Sequence, residues 1–117
     1  MKIHGVIKIN GTDYALRYGT NVLQKMEDVD GLYLDRLGEE LSIGVVSKIF
    51  YHGIHTLHPK LTKEDVGDLM DDYFEEGGSL QLLAEAMVNA INKSLGVKTQ
   101  RNGVNTEGLQ ESENIPK

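Results

Sequence analysis

Residues 6 to 19 read Val6-Ile7-Lys8-Ile9-Asn10-Gly11-Thr12-Asp13-Tyr14-Ala15-Leu16-Arg17-Tyr18-Gly19. Asn-Gly is the pair that a two-residue hairpin turn favours, because both central positions need positive φ. The apolar residues on either side alternate, as one face of an extended strand requires. A turn at Asn10-Gly11 pairs Ile9 with Thr12, Ile7 with Tyr14, Gly5 with Leu16 and Ile3 with Tyr18. One face then carries Ile3, Ile7, Ile9, Tyr14, Leu16 and Tyr18. The other pairs Lys8 with Asp13, Val6 with Ala15 and His4 with Arg17, and is mostly polar. Two strands alone are marginal in water, so the apolar face must cover helices or join another sheet.

After Gly19 the period becomes helical. Thr20 stands where an N-cap is expected, Val22, Leu23 and Met26 line one side, and Asp28-Val29-Asp30-Gly31 closes the helix. Leu34, Leu37 and Leu41 mark a second short helix. Val46, Ile49, Phe50, Gly53 and Leu57 align along a third, which stops at His58-Pro59 because proline restricts the residue before it. Thr62 and Asp65 have the spacing of a capping box ahead of a Val66, Leu69, Met70, Tyr73, Phe74 stripe that Gly77-Gly78 ends. Ser79 caps a last helix with Leu80, Leu83, Ala84, Met87, Ile91 and Leu95 at helical spacing. Leu82 and Ala86 lie off that stripe, so this helix is either central or an interface. Beyond Gly96 the few apolar residues have no period, and 97–117 reads as a disordered tail. The expected fold is α+β, mostly α: an N-terminal hairpin (1–19) on a bundle of four to five helices (20–96), in one globular domain, with the tail outside it.

A chain of 117 residues is one ordinary domain. Its 12 Lys and Arg against 18 Asp and Glu give a net charge of −6, so a generic nucleic-acid footprint is missing and no nucleic-acid partner is expected. The absence of Cys excludes disulfides, catalytic thiolates, thiolate zinc sites and iron–sulfur clusters. Nothing reads as a signal or membrane-spanning segment, so no membrane is expected and the chain should stay in the cytoplasm where it is made.

Three histidines, His52, His55 and His58, are spaced about one helical turn apart, and such imidazoles could share a metal. Helical projection spreads them over about 120° of arc and places them opposite the Val46/Phe50/Gly53 stripe, beside Lys48. They are read as a solvated, structurally passive face, with no metal and no cofactor assigned. A metal-dependent enzyme or sensor on His52 and His55 is the rival. On the helix from Thr62, Glu64, Asp65, Asp68, Asp71, Asp72, Glu75 and Glu76 oppose Lys63 alone. No base follows them at i+4 to form stabilising pairs, which a basic partner could supply. Asp68, Asp72 and Glu75 are the candidate contacts there. Asp71 and Asp72 invite an acid/base reading, but no nucleophile or oxyanion hole stands beside them. Gly5, Gly11 and Gly19 form no phosphate loop. No enzyme is expected.

Lys8-Ile9-Asn10-Gly11-Thr12-Asp13-Tyr14-Ala15-Leu16-Arg17-Tyr18-Gly19, an all-helical body, Ile49-Phe50-Tyr51-His52-Gly53-Ile54 and Pro59-Lys60-Leu61-Thr62-Lys63-Glu64-Asp65-Val66-Gly67-Asp68-Leu69-Met70 follow one another in this chain. This order resembles the tail assembly chaperones of long-tailed phages and prophages over roughly residues 6 to 95. The sequence departs from their pattern with Ile54 where Leu is usual, and in its run of His and its acidic third long helix. The resemblance implies a non-enzymatic protein of the host bacterial cytoplasm, absent from the mature virion. Such a protein binds the helical tape-measure protein, keeps it soluble and helps recruit tail-tube subunits. The family often makes a longer form by translational frameshifting near the end of the reading frame. Self-association is left open. A tape-measure client exposes apolar helix surface, so the candidate contacts are Ile3, Ile7 and Tyr14 on the hairpin face and Leu82 and Ala86 on the last helix. The alternative is a small acidic adaptor that docks a basic partner on helix 62–76.

Overall fold

The computed structural model describes residues 2–36 and 42–97. Two antiparallel strands, β1 (Gly5–Ile9) and β2 (Thr12–Leu16), are followed by four α-helices, α1 (Thr20–Asp30), α2 (Ile43–His55), α3 (Lys63–Glu75) and α4 (Leu80–Ser94), with a 3₁₀ turn at Leu34–Arg36. No helix among the described residues is long and apolar enough to cross a membrane.

The hairpin has the expected turn and register. Asn10 and Gly11 have φ of 53° and 78°, and the ladder pairs Ile9 with Thr12, Lys8 with Asp13, Ile7 with Tyr14, Val6 with Ala15 and Gly5 with Leu16. Beyond Gly5 the expected pairing fails. The His4 N–H donates to Leu16 O at 2.8 Å and His4 Nδ1 accepts the Tyr18 N–H at 3.0 Å. Ile3 is therefore not opposite Tyr18 and stands 45% exposed.

Helix ends follow local chemistry. Thr62 and Asp65 form a reciprocal capping box on α3, and Ser79 accepts from Leu82 N at the start of α4. Ser42 caps α2 in the same way through Val45 N. At α1 the N-cap is Gly19 without a side-chain bond, and Thr20 is instead the first helical residue. Gly31, in the left-handed region, ends that helix as expected. Of the predicted second helix only the 3₁₀ turn lies among the described residues. Its Leu37 and Leu41, and the predicted tail beyond Val97, fall outside them.

α2 is the central element, packing against α1, α3, α4 and β2. Its Val46, Ile49, Phe50 and Ile54 are buried together with Ile7, Ile9, Leu16 and Tyr18 from the hairpin. α4 adds Leu83, Met87 and Ile91 and lies along β1, where Gly5 meets Ala90. Leu95, placed on the α4 stripe by sequence, is past the helix end and 50% exposed.

The joint between sheet and helices is Tyr18 on Gly53. Tyr18 is fully buried and its hydroxyl donates to Ile49 O at 2.8 Å. Burial raises the phenol well above its usual pKa, so it remains a donor. A Cβ at residue 53 would fall well inside van der Waals contact of Tyr18 Cζ and Oη. Next to it the Arg17 N–H donates to Gly53 O at 2.8 Å. Gly53→Ala should therefore cost about 3 kcal/mol of stability, since overpacking here displaces a fixed ring. Urea denaturation measures this. Combining it with Tyr18→Leu should cost less than the sum of the two single changes.

Candidate functional site

The acidic end of α3 and the imidazoles of α2 turn back onto the protein. Asn10 at the hairpin tip donates its backbone N–H to Glu76 Oε2 at 2.6 Å and its side-chain Nδ2 to Asp72 Oδ2 at 3.0 Å. Charge-assisted bonds of this kind are the stronger ones. Asp72, expected to meet a partner, is thus partly occupied within the chain. Asp68 and Glu75 remain exposed.

The histidines are not a solvated face. His52 is 7% exposed and its Nε2 lies 2.6 Å from Asp30 Oδ2, because the last turn of α1 packs against α2. His58 Nε2 accepts the Ala15 N–H at 3.1 Å, and its ring tilts against Tyr14 with centroids 5.6 Å apart. An imidazole that accepts from a backbone N–H presents a lone pair at that nitrogen. His4 Nδ1 and His58 Nε2 therefore act as the acceptors that hold this edge of the hairpin.

A groove of about 310 Å³ opens between α1, α2 and the first turn of α3. Val22, the exposed Val29 and the Tyr51 ring give its walls apolar surface, while Lys25, Lys63, Thr56 and the Asp30–His52 pair supply its polar groups. His55 stacks on Tyr51 with 4.9 Å between ring centroids. Lys63 Nζ sits 5.6 Å from the centroid of the same Tyr51 ring. His55 Nδ1 is buried without a hydrogen-bond partner. Among the described residues no three His, Asp or Glu gather as metal ligands.

The residues proposed from sequence as partner contacts do not share one surface. Ile7 is 5% exposed and belongs to the core, because the hairpin face that carries it is the face laid on the helices; it is corrected from contact to core residue. Tyr14 on the same face is half-buried. Ile3 is exposed through the break in strand pairing described above. On α4, Leu82 is 51% exposed and Ala86 is half-buried against the core. Sequence reasoning missed Asp30, His4 and Glu76. Their partners lie on other elements, and the one available signal was the crowding of carboxylates at the negative end of α3.

No protein family, curated protein or solved structure matches the chain.

Removing one member of the Asp30–His52 pair leaves the other buried without a partner. His52→Ala should thus cost about 3 kcal/mol, and a double-mutant cycle with Asp30→Ala should show coupling between the two. His4 gives a pH dependence of known sign. Burial first, then the charges of Arg17, Lys2 and Lys93, lower its pKa from 6.5. The unfolded chain therefore takes up that proton before the folded one, and stability present above pH 6.5 falls as the pH drops below it. His4→Gln, which keeps an acceptor but does not titrate, should flatten that part of the thermal-stability profile.

Proposed function

We propose that this protein is a non-enzymatic tail assembly chaperone of a long-tailed phage or prophage. It holds the tape-measure protein in soluble form and helps recruit tail-tube subunits in the host bacterial cytoplasm, without entering the mature virion. The reading rests on the sequence resemblance across residues 6 to 95. In support, the quoted residues are ones the fold uses: Asn10-Gly11 at the turn, Tyr18 and Gly53 at the sheet–helix joint, and Thr62 with Asp65 at the cap of α3.

The observation that carries a binding role is Leu82. It is a large apolar side chain on the outer side of α4, about half exposed, beside Ala86 one turn on. A core that already takes Leu83, Ala84 and Met87 from this helix makes no use of it. An amphipathic client helix needs apolar contacts at this spacing. With Ile7 in the core, the client surface proposed here is the outer side of α4 around Leu82.

An acidic adaptor is the second reading. Glu64, Asp68, Asp71 and Glu75 are exposed on α3, and among the described residues none of them joins an ion pair. A basic partner would be steered to such a face and released by salt.

Co-expression with a tape-measure fragment tests the first reading. The wild-type chain should keep the fragment soluble, whereas Leu82→Glu should let it precipitate while changing stability by no more than about 0.5 kcal/mol, as for other surface positions. Ile7→Glu should instead unfold the protein, because it buries a charge. Unchanged client solubility with Leu82→Glu, together with salt-sensitive capture of a basic protein lost in Asp68→Lys/Glu75→Lys, would select the adaptor.

A further inference from the structure

We infer that the groove between α1, α2 and the start of α3 binds an oxyanion, a carboxylate or phosphate group carried on a small molecule. The site is independent of the client surface on α4.

Three observations lead there. The first is charge. The groove carries Lys25 and Lys63 against one carboxylate, Asp30, and that carboxylate is taken by His52 at 2.6 Å. Its balance is thus positive in a chain of net charge −6. The second is position. Lys63 Nζ stands over the Tyr51 ring, a cation–π arrangement that holds an ammonium without neutralising it.

The third is the placement of the two ring nitrogens of His55. A neutral imidazole carries one N–H and one lone pair. Nδ1 is sealed and has no partner. A buried N–H without an acceptor is the rarer and costlier defect, and a bare acceptor lone pair is better tolerated. The proton therefore resides on Nε2, which is neither sealed nor bonded within the protein among the described residues. His55 then offers an N–H donor, alongside two ammonium groups and the Thr56 hydroxyl, in a groove whose one acceptor carboxylate is already engaged. A donor-rich, positively balanced cleft with apolar side chains in its walls fits an oxyanion with some hydrocarbon attached.

Titration of the isotope-labelled protein with inorganic phosphate, and separately with butyrate, at constant ionic strength with chloride as control, tests the site. Backbone and imidazole resonances of His55, Thr56 and Lys63 should shift saturably with at least one of the two anions, and the anion that binds more tightly identifies the source chemistry. The His55 ring should show the Nε2–H form before any anion is added. Lys25→Gln or Lys63→Gln should each weaken binding roughly tenfold with the thermal midpoint unchanged. No saturable shift with either anion would overturn the proposal. So would binding that both lysine variants retain at full strength, or an Nδ1–H ring in the free protein.

Discussion

Tyr18 leaves the end of the hairpin with a full aromatic ring to bury, and the space that receives it exists because residue 53 has no side chain. That contact sets the distance between sheet and helix. Once it is made, Arg17 N–H reaches Gly53 O and the Tyr18 hydroxyl reaches Ile49 O, so the strand edge is tied to α2 by backbone as well as by ring. Ala15, two residues earlier, finds His58. The N–H groups of Ala15 and Arg17, on the outer edge of β2 and just past its end, are thereby used up by α2 and the loop that follows it, which covers an edge that would otherwise invite pairing with other chains. α2 in turn is the element that the other three helices touch. A change in its separation from the hairpin would therefore be felt in every part of the core, since cores at this density transmit strain.

The hairpin was legible from sequence because its two signals are local and agree: a turn that only certain residues can make, and an alternation that permits one register. Capping at Thr62 and Ser79 was legible for the same reason. The histidines were not. Projecting α2 onto a wheel finds one apolar stripe and assigns the rest to solvent, a sound inference for a helix buried on one side. α2 is covered on several sides, so His52 is buried although it lies away from the stripe. The hairpin face misled in another way. Its apolar pattern is real, but a pattern reports that a face will be covered and not what covers it. Here the covering is internal, which moves Ile7 from surface to core.

The carboxylates at the end of α3 oppose the partial negative charge of the helix terminus, and local rules would place bases there. Asp72 and Glu76 offset this by receiving the two Asn10 donors of a tight turn, so an unfavourable choice within the helix becomes a favourable one between elements. With Asp65 in the capping box, three members of the acidic face thus serve the fold, and the remaining exposed carboxylates carry the charge available to a partner.

The clamp on the hairpin tip joins positions 66 and 62 residues apart, and the His58 bond to β2 spans 43. The strands precede all of these partners during synthesis, yet two strands alone are only marginally stable. The hairpin must wait for α2 and α3 before it can dock, and distant contacts form late because the loop between them has to close first. The tip clamp is therefore the last of these bonds to become possible during synthesis, and it stays unmade until the chain around Glu76 has emerged.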